Sequence, residues 1–207
     1  MKKAFLIIDV QNDFLPDGAL AVPEGDKVIS VINRIAAGFE HIFATQDWHP
    51  ANHGSFATQH PGRVPGDVIE LNGLRQILWP VHCVQHTRGA AFASGLDSRR
   101  IEKIFHKGAD PLVDSYSGFF DNGHRRATGL GDYLRVQNFA EIFIAGLATD
   151  YCVKATALDA ASLGFATHVI ADACRAVNLK PGDDLRAFDE MRAAGVRVLT
   201  SDALLKT

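Results

Sequence analysis

Glu141-Ile-Phe-Ile-Ala-Gly-Leu-Ala-Thr-Asp-Tyr-Cys152 is the stretch that decides the fold. Its first five residues, Glu141–Ala145, form a short apolar run that reads as a buried strand closed by Gly146. A tight turn follows. From Cys152 to Leu163 the order Cys-Val-Lys-Ala-Thr-Ala-Leu-Asp-Ala-Ala-Ser-Leu reads as an apolar helix. The same alternation recurs on both sides. Strands are expected at Ala4–Ile8, His41–Thr45, Ile101–His106, Thr167–Ala171 and Val196–Leu199, with helices at Asp26–Ala37, Arg125–Arg135 and Asp184–Ala194. Strands apolar on both faces and alternating with helices imply a parallel sheet covered on both sides. The spacing predicts an α/β fold, a three-layer α/β/α arrangement with a six-stranded, mostly parallel, Rossmann-like sheet.

Composition narrows the function. At 207 residues the chain fits one domain spanning 1–207, and a domain of that length buries roughly 70% of its unfolded surface without staples. Hydrophobic residues at 47% and charged residues at 22% exclude a disordered or fibrous chain. Lys plus Arg is 21 against Asp plus Glu 24, a net charge of −3. That balance is a poor footprint for nucleic acid or an anionic membrane surface. The apolar run Ala4–Ile8 is too short for a signal-peptide core, and no stretch approaches the ~18 residues of a membrane helix. Cys83, Cys152 and Cys174 are an odd number at wide spacing, so no disulfide framework is expected and each thiol is judged alone. A cytoplasmic location follows as the expectation. Monomer and homo-oligomer both stay open.

One segment breaks the alternation. From Trp48 to about Arg99 no strong helix or strand period is found, yet the segment holds five of the nine histidines and both tryptophans. Long connections without regular structure are usually functional or disordered, and disordered segments are poor in aromatics. An ordered, site-forming loop is expected.

Ligands of open parallel sheets bind outside the carboxyl ends of the strands. Asp9, Asp47, Lys107 and Cys152 each fall at or just past such an end. Cys152 at the start of a helix would feel the positive end of the macrodipole, which favours thiolate; the plainer alternative is a small buried hydrophobe. Cys83 and Cys174 lack such a setting and read as structural. Lys107 is either a solvated lysine or, at ~4 Å from the sulfur, worth about 4 kcal/mol of attraction at an effective dielectric of about 20. An ionised Asp9 at similar range would offset that attraction. The consistent arrangement is one proton shared between sulfur and carboxylate, with Asp9 as general base; a turn-capping Asp is the alternative. Asp47-Trp-His49-Pro-Ala-Asn-His53, with His82 downstream, offers one carboxylate and up to three imidazoles, a donor set suited to zinc, iron or manganese. Phe14 and Trp79 would wall a flat substrate or simply belong to the core.

These residues resemble a known family, the bacterial nicotinamidases (pyrazinamidases) of the isochorismatase-like cysteine hydrolases. The resemblance is carried by Asp9-Val-Gln-Asn-Asp-Phe14, Gly18–Gly25, Gln46-Asp-Trp-His-Pro-Ala-Asn-His-Gly-Ser-Phe56 and Trp79-Pro-Val-His-Cys-Val-Gln85. Phe105-His-Lys-Gly108, Asp114-Ser-Tyr-Ser117 and Gly146-Leu-Ala-Thr-Asp-Tyr-Cys-Val153 complete it. It implies a triad of Asp9, Lys107 and Cys152, and one divalent metal ion held by Asp47, His49 and His82, with His53 as a further ligand in some members. It also implies a non-proline cis peptide before Ala148, whose N–H forms an oxyanion hole with that of Cys152. Phe14 and Trp79 then match the aromatics that hold a pyridine ring. The implied reaction is hydrolysis of nicotinamide to nicotinate and ammonia through a cysteine thioester, in NAD salvage, with pyrazinamide as a second substrate.

Overall fold

The computed structural model describes residues 2–206. Strand β1 (Lys2–Ile8) is buried over its last five residues, and its period of two sorts the core into halves. Phe5 and Ile7 belong to one cluster, with Val28, Ile32 and Ile35 of α1 (Lys27–Ala36). Ala4, Leu6 and Ile8 belong to the other. Its helical members come from α2 (Leu130–Val136), α3 (Lys154–Ser162) and α4 (Asp183–Ala193). Leu204 of α5 (Ser201–Leu204) packs on the α1 side. Helices therefore cover both faces, as the doubly apolar strands require.

The remaining sheet strands are β2 (Ile42–Asp47), β5 (Lys103–Lys107), β6 (Phe139–Leu147), β7 (Ala166–Arg175) and β8 (Arg197–Leu199). Their order is β5-β2-β1-β6-β7-β8, and each pairing is parallel. All six expected strands are present. The order reverses between β1 and β6, because the chain builds outward from β1 first one way and then the other. That reversal is the switch point at which such sheets bind ligands. Among the described residues no helix is long and apolar enough to cross a membrane.

Three expectations are corrected. The segment 48–99 contains a hairpin, β3 (Val68–Leu71) and β4 (Leu74–Ile77), turning on Asn72 and Gly73 with φ 49° and 78°. Positive φ at both turn residues is the two-residue geometry that Asn-Gly favours. The helix expected from Arg125 starts only at Leu130. Before it the chain is held in a loop by a Phe120–Ala127 bridge and by a Thr128 hydroxyl donating to the Gly118 carbonyl. The helix expected from Cys152 is a wider π-type turn over Thr149–Val153, with α3 beginning at Lys154.

Candidate active site

The strand order lines up four side chains along one edge: Lys107 ends β5, Asp47 ends β2, Asp9 follows β1, and Cys152 follows β6. Neighbouring strands lie roughly 4.8 Å apart, so β5 and β6 are separated by about 14 Å. The long lysine side chain spans what a shorter one would not. Lys107 is buried, and its ammonium donates to Asp47 Oδ1, to the Ser115 carbonyl at 3.0 Å and to Cys152 Sγ at 3.3 Å. Those bonds use its three N–H groups. Asp9 Oδ2 lies 2.9 Å from the same nitrogen, yet it is buried with no hydrogen-bond partner of its own. Its other oxygen accepts from the Thr45 hydroxyl at 2.6 Å. Oδ2 is thus ion-paired with the ammonium, and an oxygen of this carboxylate lies within 4.8 Å of the sulfur, placed to take its proton.

Burial sets the charge states. It pushes the Asp9 carboxyl up to about 6, with Lys107 opposing and Asp47 adding to the rise. Burial also works against charge on Lys107, but Asp47 and Asp9 outweigh it and hold the ammonium well above its usual range. For Cys152, burial outweighs the pull of Lys107, and Asp9 and Asp47 reinforce it, so the thiol lies well above ordinary values. The resting pair is therefore neutral thiol beside carboxylate, which differs from the thiolate that a helix N-terminus would favour. Burial of the sulfur first, and then two acids at close range, account for the difference. Cys83 and Cys174 are buried with raised pKa values, Cys174 to about 12, in keeping with structural thiols.

Backbone geometry brings these groups together. Asp9 adopts φ 48°, an uncommon conformation for a residue with a side chain. Gly146 has φ 131°, and a Cβ there would lie 2.1 Å from the Ile8 carbonyl oxygen, so only glycine lets β6 pass β1 under the triad. The Leu147–Ala148 peptide is cis. The Ala148 carbonyl accepts from the N–H groups of Tyr151 and Val153, both at 3.1 Å, which closes the turn carrying Cys152.

Beside the thiol lies a group with metal-ligand chemistry. Ligand atoms of Asp47, His49 and His82 all fall within 4.8 Å of one another. His49 Nδ1 and His82 Nδ1 each donate at 2.8 Å to a backbone carbonyl, of Gly108 and Pro80 respectively. A carbonyl only accepts, so both Nδ1 atoms carry the proton and both Nε2 lone pairs are free, the arrangement that orients metal-binding imidazoles. Those Nε2 atoms stand 3.7 and 4.0 Å from Asp47 Oδ2. Such separations suit donors that share one ion at ~2.0–2.2 Å each. The donor set fits a divalent ion. His53 is buried in a second group, with His49 and Asp114. Its Nδ1 meets the Ser55 hydroxyl and N–H, and its Nε2 has no partner. Asp9, Asp47 and Cys152 are equally close, but Lys107 Nζ already touches all three.

A cavity of about 30 Å³ lies between these groups, with Phe14, Trp79, His82, Ala148 and Cys152 in its wall. A larger cleft of about 430 Å³, lined by Lys2, Phe39 and Phe143, lies at the opposite end of β1 and is lined by none of the cysteines. The structure thus brings together Asp9, Phe14, Asp47, His49, Trp79, His82, Lys107, Ala148 and Cys152, with His53 alongside. Several contributors were not singled out from sequence. Gln11 binds the Asp47 backbone both ways at 2.9 Å. Gln76 of the hairpin donates to Asp114 at 2.9 Å, and Trp79 Nε1 donates to Tyr116 at 3.2 Å. Thr45 had a signal, since it lies two residues before Asp47 and shares its strand face. Gln76 had none.

The chain belongs to the isochorismatase-domain family, which matches residues 3–203. It is 52% identical over 202 residues to a nicotinamidase of Escherichia coli, covering 96% of this chain and 94% of that one. A solved Acinetobacter baumanii nicotinamidase/pyrazinamidase superposes with a TM-score of 0.95 at 43% identity, covering 98% of both chains. A Pyrococcus horikoshii pyrazinamidase solved in complex with zinc has a TM-score of 0.77 at 37% identity, covering 97% of this chain and 99% of that one.

Proposed function

We propose that this chain is a nicotinamidase, hydrolysing nicotinamide to nicotinate and ammonia through a thioester on Cys152, with pyrazinamide as a second substrate. NAD salvage is the place that the family resemblance implies for the product. The observation that carries the mechanism is the buried Asp9 carboxylate beside a thiol, with the Lys107 ammonium 2.9 Å from Asp9 Oδ2 and donating to the sulfur.

Asp9 takes the Cys152 proton as the sulfur attacks the carboxamide carbon. Lys107 holds the resulting thiolate and the second carboxylate, Asp47, throughout. The N–H groups of Ala148 and Cys152 receive the oxyanion, an interaction worth about 3 kcal/mol per donor. Asp9 then gives its proton to the departing nitrogen, and ammonia leaves. A water next loses a proton to Asp9 and attacks the thioester. Asp9 returns that proton to sulfur as nicotinate departs, and the site is restored. Phe14 and Trp79 hold the flat ring.

Asp47, His49 and His82 would hold one divalent ion, zinc, iron or manganese, and His53 stands next to them. When bound, that ion supplies a Lewis-acidic anchor for a ring nitrogen, one of the distinct roles a metal takes. The alternative reading is a metallohydrolase in which metal-bound water attacks. It leaves the contact of Lys107 with Cys152 without a purpose. The test is ammonia release from nicotinamide by wild type and Cys152→Ala, with metal analysis of both. Turnover in wild type alone, at equal metal content, is the expected result. An active Cys152→Ala would overturn the thioester route.

A further inference from the structure

The cavity is narrow in a way that bears on how a substrate is held. Its volume of about 30 Å³ admits a water or two, while a pyridine carboxamide has nine heavy atoms. The side chains of the wall therefore stand close against a bound ring. Most of the wall is buried, but Leu20, Tyr116, Tyr151 and Val177 are half-buried.

Val177 sits in the loop between β7 and α4, and that loop starts on a single side chain. The Val177 N–H donates to Asp150 Oδ1 at 3.0 Å, and the Asn178 N–H donates to Asp150 Oδ2 at 2.8 Å. Asp150 is buried, does not line the cavity, and lies two residues before Cys152 in the nucleophile turn. Farther on, the loop is tied to α4 through Asn178 Oδ1, which accepts from the Asp184 N–H at 3.0 Å. The turn has its own backbone bonds, to the Ala148 carbonyl from Tyr151 and Val153. Loss of the Asp150 carboxylate therefore strands two loop N–H groups and leaves the turn's own bonds intact.

We propose that Asp150 is a positioning residue that fixes the Val177 wall against Cys152, and so sets how tightly the carboxamide substrate is held. The carboxylate accepts one loop N–H on each oxygen and carries the seat of the nucleophile over to the rim of the pocket. The rim is then placed against the sulfur by one group, while the turn's own backbone bonds hold the sulfur. The proposal rests on the nicotinamidase reading above for its substrate, and on geometry alone for the wall.

The experiment uses the full-length, metal-loaded chain with Asp150→Asn, Val177→Ala and the double variant. Steady-state ammonia release from nicotinamide gives KM and kcat. Cys152 alkylation by iodoacetamide, with Cys152→Ala as blank, gives access to the sulfur. Each single variant is expected to raise KM about tenfold with kcat within about threefold of wild type, the pattern of lost uniform binding. The double variant is expected to be no worse than either single, because coupled residues are not additive. Alkylation is expected to quicken at least about fivefold in both singles, since the wall no longer shields the thiol. A fall in kcat at unchanged KM in Asp150→Asn, or effects that multiply in the double variant, would overturn the proposal. Should Asp150→Asn fail to fold, Asp150→Glu keeps both acceptor oxygens on a longer arm. Its KM and alkylation rate are expected between wild type and Val177→Ala, and wild-type values for both would overturn the proposal. A wild type that releases no ammonia sinks the nicotinamidase reading, and the alkylation rates still decide the role of Asp150.

Discussion

Asp47 and Lys107 are register partners on β2 and β5, and their side chains join the two halves of the site in a buried ion pair. Asp47 Oδ1 faces the ammonium that touches the thiol, and Oδ2 faces the two imidazoles. Burial opposes charge on Asp47, but Lys107 and the histidines hold its carboxyl below the usual range. The proposed metal site and the proposed nucleophile thus share one carboxylate.

Lys107→Met removes the cation from two buried acids. Breaking a buried ion pair on one side costs about 3–5 kcal/mol, so urea unfolding should show a loss of that order. Activity should fall roughly 10²–10³-fold, as when one transition-state donor is removed. Unchanged stability would show that Asp9 and Asp47 do not depend on the ammonium.

The raised Asp9 carboxyl makes a pH prediction. Only the ionised form accepts the thiol proton, so kcat/KM should decline as pH falls through about 6. Stability has the opposite sign. The folded state binds this proton more tightly than the unfolded state, so the contribution is present below the ordinary carboxyl value of 3.8 and is lost as pH rises through about 6. Asp9→Asn should abolish turnover, and its melting temperature relative to wild type should be higher at pH 7 than at pH 3.5. A wild-type rate that is flat from pH 5 to 8 would remove Asp9 from the role of base.

Cys152→Ala should retain its metal and its fold while losing turnover by about 10⁴-fold or more, in line with loss of a nucleophile that works as part of a unit. Cys152→Ser is a sharper probe, because metal-bound water as attacking group predicts an active serine variant. Acid quench of wild type with labelled nicotinamide should trap label on the Cys152 peptide.

Chelation should raise KM with a smaller change in kcat, since the ion is assigned to anchoring the ring. Full activity of the metal-free protein at ordinary substrate levels would count against that assignment. His82→Ala should lose metal and reproduce the kinetics of the chelated wild type.

Gly108→Ala tests the support of the imidazole without replacing a ligand. Its φ is +65°, and a Cβ would lie 2.4 Å from His49 Cε1. Metal affinity should drop about 10–100-fold, the range for losing an orienting partner, and stability should fall by more than ~1 kcal/mol. Unchanged affinity would mean that the Gly108 carbonyl does not set the His49 ring.

The layers, the six strands and the edge on which Asp9, Asp47, Lys107 and Cys152 gather were legible in the sequence. Apolar runs and their alternation with helices are local patterns, and parallel connectivity leaves few ways to arrange them. The resemblance to a known family supplied residue roles that spacing alone left open. The hairpin β3–β4 escaped because its strands are short and half-exposed, although Asn72-Gly73 carried the turn signal. The helix starts near residues 125 and 152 were misplaced because loop hydrogen bonds and a widened turn override helical propensity there.

Pattern by itself determined which chemistry was on offer, a thiol, an amine, two acids and several imidazoles, and the strand ends on which they sit. Only tertiary structure decided how they are used. Lys107 reaches from β5 past both acids to the thiol, Asp9 Oδ2 is paired with that ammonium alone, and His49 and His82 turn their Nε2 lone pairs inward. Each outcome depends on distances between residues far apart in the chain and on which neighbour occupies each hydrogen-bonding position. Periodicity carries no such information, because it records which side of an element faces the core and not what meets it there.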